Sequence, residues 1–474
     1  MREPFKIIQH IGFTFVFWLC LIQNDTKAQI SSTDIPKNII IMIGDGMGFN
    51  HLKATEYYLY GSDDSSKVRD SSFVKLAMAT FPAIIETKPE KVLSSGYNAE
   101  AIHKNPINLN NSFTESAAAG TAIACGKKTY NGAIGIGAMN DTLANLTELA
   151  KSLGKSAGIV TTVPISHATP ASFVAHCSER RNYQEIARQM LFNSKLDVLM
   201  GCGNPDYNNN GEFQKMNAKY VGGEDLWEQL KNTDSQTEFV INDIKYHVKD
   251  IDGDGEADAW TLIQDSADFA KLTKKITEKR ILGVPRVYET LQARRDIKET
   301  LLNNPFETAY IPDMPSLELM TKGALNVLSQ QDKGFLLMVE GGAIDWASHD
   351  NRTDRMIEET IDFLNTVESV IKWISIYSSW EETLLIVTAD HECGFLWAEG
   401  GNDKFNPIIN AGKNQIPKMK WYSGDHTNSL VPFFAKGASS SLFYNFADEY
   451  DPYQGYYIQN TEIAQTIFML WKKW

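Results

Sequence analysis

The run Asn38-Ile39-Ile40-Ile41-Met42-Ile43 leads straight into Gly44-Asp45-Gly46-Met47-Gly48. A short, almost wholly apolar stretch of this kind reads as a strand buried on both faces, as in a parallel sheet, and the glycine-rich turn after it delivers a single carboxylate. The design recurs along the chain. Ala157–Thr162, Leu196–Met200, Phe335–Val339, Thr383–Thr388 and Val431–Ala435 are further runs rich in Ile, Val and Leu. Amphipathic helical stretches lie between them at Asp141–Leu153, Tyr183–Leu191, Ser316–Leu328 and Asp354–Ile374. The alternation predicts an α/β fold with a large, mostly parallel central sheet flanked by helices.

In open α/β sheets ligands bind beyond the carboxyl ends of the strands, and here the polar residues gather at those ends. Asp45 follows the first run; His167, Thr169 and, further on, Arg180 follow the second. Glu340, Asp345 and His349 follow Phe335–Val339, and Asp390-His391 follows Thr383–Thr388. Any one of these residues is most simply a cap or turn residue, but together they point to a metal-centred site. Asp345 and His349 are four apart, so on a helix they share one face and can grip one ion. His with carboxylate suits zinc; carboxylate with hydroxyl suits magnesium. A second signal is Thr114-Glu115-Ser116 ahead of the small-residue segment Ala117–Gly126. A Ser opening such a helix lies where free backbone N–H groups favour an anion, although a plain Ser cap has the same appearance. No triad spacing or G-x-S-x-G elbow surrounds Ser116, so activation of its hydroxyl calls for metal coordination.

Composition narrows the classes. The chain has 474 residues, 43% of them hydrophobic, and 45 Lys+Arg against 59 Asp+Glu give a net charge of −14. That apolar content builds a large core, and an acidic chain lacks the basic footprint of a nucleic-acid binder. Arg2 and Lys6, the apolar run Ile11–Ile22 and the small residues around Ala28 predict a signal peptide over 1–28, shorter in its apolar run than a membrane span. A periplasmic or secreted protein beginning at Gln29 follows. A lipoprotein reading through Cys20 is weaker, since bulky Leu19 precedes it. Cys125, Cys177, Cys202 and Cys393 match no zinc ribbon or redox motif, and the choice between core thiols and disulfides stays open.

The motifs, in order along most of the chain, resemble those of the alkaline phosphatases. They are Ile43–Gly48; Glu115-Ser116-Ala117-Ala118 running to Lys128-Thr129-Tyr130-Asn131-Gly132; His167-Ala168-Thr169-Pro170; Val339-Glu340-Gly341 through Asp345 and His349; Thr388-Ala389-Asp390-His391; and Gly424-Asp425-His426-Thr427. The resemblance implies two zinc ions, one held by Asp345, His349 and His426 and the other by Asp45, Asp390 and His391. It implies one magnesium ion on Asp45, Thr169 and Glu340. Ser116 is then the nucleophile that carries a phosphoseryl intermediate, and Arg180, thirteen residues after His167, clamps the phosphate. Three positions depart from the pattern. Glu115 stands where most relatives have Asp, and His167 and Trp346 stand where the enterobacterial type has Asp and Lys. The remaining His10, His51, His103, His176 and His247 fit no ligand motif.

Residues 29–474 read as one catalytic domain, with 204–304 as a more charged, less strand-like insertion capping the sheet. Inside it Asp250, Asp252, Asp254, Glu256 and Asp258, with Gly255 at the sixth position, follow a calcium-loop pattern, although Thr261 replaces the usual final Glu. One calcium ion that staples the insertion is the corresponding expectation. The function expected is hydrolysis of small phosphate monoesters. Phosphodiester or sulfate ester hydrolysis on the same scaffold is the near rival, disfavoured by Arg180, Thr169 and Glu340. A non-enzymatic periplasmic phosphate- or metal-binding protein is the distant one, disfavoured by an intact Ser116. Monomer and homodimer stay open.

Overall fold

The computed structural model describes residues 35–472 apart from 64, 88–89, 95, 100–112, 233–234, 275–277, 297–303 and 400–405. The expected signal peptide over 1–28 and His103 lie outside the described residues. The main sheet has eleven strands: β1 Asn38–Gly44, β2 Val74–Ala79, β3 Ser156–Pro164, β4 Val198–Cys202, β5 Thr261–Ile263, β6 Ile281–Gly283, β7 Phe335–Gly341, β8 Thr383–Thr388, β9 Val431–Gly437, β10 Glu449–Asp451 and β11 Gly455–Gln459. Their order is β10-β11-β2-β9-β8-β1-β7-β3-β4-β6-β5. All pairs from β8 through β5 are parallel, and antiparallel pairing is confined to the side that carries β9 and β10. Every residue of β1, β3, β7 and β8 is buried, which is what continuous apolar runs require when helices cover both faces.

The four strands whose ends carry polar residues are neighbours, in the order β8-β1-β7-β3. Ile43 pairs with both Glu340 and Thr388, and Glu340 pairs with Thr161. The carboxyl ends therefore stop at one level and form a single rim.

Helix boundaries follow their caps. Ser316 accepts from the Leu319 amide at 3.2 Å and starts the helix Leu317–Leu328. The helix expected from Asp141 begins only at Leu146. Asn145 caps it, and the Glu148 carboxylate accepts from the Asn145 amide at 3.0 Å, while Thr142 is spent on a bridge to Ile136. The segment 204–304 contains short strands of its own. It is woven into the sheet edge as β5 and β6 and adds the hairpin Glu238–Ile241/Ile244–His247. Strands of three or four residues carry too little alternation to be read from sequence. The four described cysteines are all buried and unpaired with one another, so the core-thiol reading holds.

Candidate active site

Asp45 leaves the end of β1 on a turn that only glycine can make. Gly46 has φ +69°, and a Cβ there would lie 2.9–3.0 Å from Asp345. The same turn donates the Gly46 amide to Asp390 Oδ1 at 3.1 Å, and the His391 amide reaches that oxygen at 2.9 Å. With Oδ1 so occupied, Asp390 Oδ2 faces His391 Nε2 at 3.2 Å, and Asp45 Oδ1 lies 3.4 Å from the same nitrogen. The other Asp45 oxygen accepts from Thr169 Oγ1 at 3.5 Å. Asp45 thus faces two donor sets, one with His391 and Asp390 and one with Thr169.

Asp345 and His349 lie on the helix Ala343–His349 and meet His426 from the short strand His426–Thr427. Asp345 Oδ2 is 3.3 Å from His349 Nε2, Asp345 Oδ1 is 3.4 Å from His426 Nε2, and the two imidazole nitrogens are 3.0 Å apart. Backbone carbonyls hold both rings by the opposite nitrogen: Gly424 O is 2.7 Å from His349 Nδ1 and Thr114 O is 3.0 Å from His426 Nδ1. This is how proteins aim imidazole ligands.

Ser116 Oγ stands 3.3 Å from His391 Nε2 at the first turn of the helix Ser116–Cys125. The residue that caps this helix is Glu115. Its carboxylate accepts from the amides of Ala117 (3.0 Å), Ala118 (2.9 Å) and Gly132 (2.7 Å), and it holds the Arg180 guanidinium. A longer acidic side chain caps the helix and reaches the arginine at once, which leaves the Ser116 hydroxyl free of a capping role.

The electrostatics call for a cation. Burial, then Asp390, Asp345 and Glu340, push Asp45 well above the carboxylate range. Burial moves Glu340 up to about 7 and, with Asp345, Asp390 up to about 6. Burial also works to raise Asp345, but His426 and His349 outweigh it and hold it well below the ordinary range. Asp345 in turn overcomes burial to lift His349 to about 9. Asp45 Oδ1, Glu340 Oε1, Asp345 Oδ1, Asp390 Oδ2 and His391 Nδ1 are buried without a hydrogen-bond partner among the described residues. Orphaned anionic oxygens beside imidazoles are unfavourable unless a metal fills the space between them, so the donor set fits divalent cations.

The family model described as "Alkaline phosphatase" matches residues 36–419. The chain is 30% identical over 407 residues to alkaline phosphatase 4 of Bacillus subtilis (strain 168), covering 83% of this chain and 70% of that protein. The chain belongs to the alkaline phosphatase family. It is also 28% identical over 391 residues to the Escherichia coli (strain K12) alkaline phosphatase, covering 76% of this chain and 71% of that one. Among solved structures, the alkaline phosphatase of the Antarctic bacterium TAB5 aligns with TM-score 0.59 at 23% identity, over 92% of this chain and 98% of that one. A cold-active enzyme from Shewanella sp. aligns with TM-score 0.61 at 24% identity, over 91% and 99%. These two show the fold. The chain is therefore a phosphatase of a family that acts on phosphate monoesters and uses metal ions. No helix among the described residues is long and apolar enough to cross a membrane.

Other residues of this alkaline phosphatase site escape a reading of sequence alone. Thr161 donates to Glu340 from the neighbouring strand, and only the β3–β7 register brings them together. Cys393 is the cross-strand partner of His426, and its sulfur clusters with Asp345, His349 and His426, ligand atoms all within 4.8 Å of one another. His167 is buried, with burial, Arg180 and Lys219 lowering it to about 3. It lies edge-on to Trp346 at 5.4 Å between ring centres. Three of the remaining histidines contribute no atom to the ligand clusters. His51 takes the Gly48 amide at 3.2 Å, His176 pairs with Glu148 at 3.1 Å, and His247 sits 3.7 Å from Glu238. In the acidic loop Asp250, Asp252 and Asp254 converge, but Lys279 Nζ already lies 2.7 Å from Asp252, 3.2 Å from Asp254 and 3.6 Å from Asp258. Asp250 accepts from three loop amides, and Glu256 lends its amide to Asp254.

Proposed function

We propose that this protein is an exported phosphomonoesterase in which Ser116 takes the phosphoryl group from the substrate and passes it to water. The observation that carries the reading is the set of orphaned buried donor atoms on Asp45, Glu340, Asp345, Asp390 and His391, gathered beside Ser116 and Arg180. Asp345, His349 and His426 would hold one zinc ion, and Asp45, Asp390 and His391 a second. Asp45, Thr169 and Glu340 would hold magnesium, the metal bound in a histidine-to-aspartate variant of the TAB5 enzyme. Bound divalent metal supplies Lewis acidity, acidifying a coordinated hydroxyl and offsetting charge on the leaving oxygen.

The chain's own residues do the rest. Arg180 is anchored by Glu115 at one nitrogen, which presents the remainder of its planar fork to two phosphoryl oxygens. Ser116 Oγ forms the new P–O bond as the ester P–O bond breaks, and the alcohol departs with a proton. Water then attacks the phosphoserine, and inorganic phosphate leaves with Ser116 restored. Residues 29–474 act as one catalytic domain, with 204–304 as its insertion and the 250–258 loop as a calcium staple. A third metal set and a bidentate clamp suit the dianionic terminal phosphoryl group over a diester or a sulfate.

Metal analysis coupled to turnover of matched chromogenic mono- and diesters tests this. The expected result is two zinc and one magnesium per chain, monoester preference, and loss of at least about 10³-fold in kcat for Ser116→Ala. Retained turnover in that variant, or equal diester efficiency, overturns it.

A further inference from the structure

A strip of aromatic rings starts beside the metal ligands and runs out to the insertion. Trp346 follows Asp345 directly and meets His167 edge-on at 5.4 Å; His167 stacks on Tyr183 at 6.1 Å with 11° between planes; Tyr183 meets Tyr220 at 5.0 Å. His167 and Tyr220 are buried and form the back of the strip, whereas Trp346 and Tyr183 are half-buried and reach the surface. Tyr183 also lies within electrostatic reach of Arg180, so the strip borders the phosphate clamp. Two cations flank it. Lys219 Nζ sits 4.7 Å over Tyr183 and 4.6 Å over Tyr220 and donates to the Tyr220 hydroxyl at 3.0 Å. Arg294 lies 5.2 Å over Trp346.

The two cations differ in one respect. Arg294 is neutralised by Asp350 at 3.2 Å. Lys219 is exposed, and its partners are tyrosine rings and a hydroxyl, with no carboxylate in ion-pair distance among the described residues. An ammonium on an aromatic platform beside a phosphate clamp, in a chain of net charge −14, is the complement of an anion on a planar group. We propose that Trp346, His167, Tyr183 and Tyr220, with Lys219 and Arg294 at their edges, form a leaving-group subsite for aryl phosphate monoesters that carry a second negative charge.

This proposal rests on the phosphomonoesterase reading, and the test separates the two. The metal-loaded enzyme is assayed with 4-(carboxymethyl)phenyl phosphate and with its methyl ester, whose leaving phenols have closely similar acidity. A partly exposed charge pair is worth up to about 1 kcal/mol, so kcat/KM should favour the carboxylate by about 2- to 5-fold. The ratio should fall to about 1 in Lys219→Met, drop below 1 in Lys219→Glu and persist in Lys219→Arg. It should shrink with added salt. Tyr183→Ala should narrow the difference in inhibition constant between phenylphosphonate and methylphosphonate. Thermal melting and metal content confirm that each variant is folded and loaded. A parent ratio of 1, or a ratio unchanged in Lys219→Met and Lys219→Glu, overturns the subsite while leaving the hydrolase reading intact. Turnover surviving Ser116→Ala overturns the hydrolase reading instead.

Discussion

Glu115→Asp separates the two duties that the Glu115 carboxylate performs. Aspartate is a good helix cap, so the bonds to the Ala117 and Ala118 amides can be kept. One methylene is lost, however, and a carboxylate drawn back onto the helix cannot also hold Arg180, which it now contacts directly while accepting from Gly132 at 2.7 Å. A charge-assisted hydrogen bond contributes about 1.5–3 kcal/mol. The Arg180 and Glu115 side chains are 19% and 15% exposed, so solvent screening reduces this to about 1–2 kcal/mol. Charge is conserved in the variant, so the loss falls on the orientation of Arg180. Inorganic phosphate should therefore inhibit about 5- to 30-fold more weakly. The assay is product inhibition alongside metal analysis and thermal melting. Metal content should be unchanged, because Glu115 touches none of the orphaned donor atoms. Loss of metal with an unaltered phosphate constant would refute the reasoning.

Two further outcomes follow from the charges. In the metal-free protein Asp45, Glu340 and Asp390 have raised pKa values, so the native state keeps protons that the unfolded chain has already released. Linkage then makes its stability fall as pH rises from the ordinary carboxylate range, about 4, through about 7. The gap in melting temperature between metal-loaded and chelated protein should widen over that window in calorimetry; a gap that narrows contradicts the assignment of these carboxylates as ligands. In the acidic loop, Lys279→Met removes the ammonium from among Asp252, Asp254 and Asp258. Calcium should raise the melting temperature of this variant more than that of the parent, and an equal gain in both would show that Lys279 does not compete for the loop.

The parts of this molecule legible from sequence are those where burial is extreme. Strands β1, β3, β7 and β8 are buried along their whole length, so nothing but an apolar run could occupy them, and the polar residue that ends each run is conspicuous. That contrast by itself puts Asp45, Glu340, Asp390 and His391 at one rim. Short elements are not legible. β5 and β6 have three residues each, as does the edge strand β10. Side chains that reach the site through tertiary packing are equally silent. Lys219, Tyr183 and Cys393 carry no local pattern, because a cation–π contact or a cross-strand neighbour is a property of register and crossing. Glu115 is a mixed case. Its position stands out in the sequence, but the capping role reads as that of the serine beside it, since Ser is the commoner cap and Glu reaches the helix amides only by folding back.

The same arrangement bears on how an acidic protein can bind a dianion at all. Around Ser116 the described residues supply the carboxylates of Asp45, Glu340, Asp345 and Asp390, the imidazoles of His349, His391 and His426, and the guanidinium of Arg180, itself already paired with Glu115. Above about pH 9, where His349 has lost its charge and Glu340 and Asp390 their protons, phosphate brought to that cluster without metals meets net negative potential in a buried setting, where charges are poorly screened. Phosphate affinity should therefore be conditional on metal, and by reciprocity bound phosphate should tighten the metals by the same factor. Above about pH 9, calorimetric titration with inorganic phosphate should give heat with the loaded protein and none after chelation. Slow metal loss to a chelator should be further retarded by phosphate in proportion to the occupancy of Arg180, and so less in Glu115→Asp. Measurable phosphate binding to the chelated protein above about pH 9 would mean that Arg180 and the amides at the start of the helix Ser116–Cys125 suffice to outweigh the carboxylates. Metal ions would then not be what neutralises the site for its dianion.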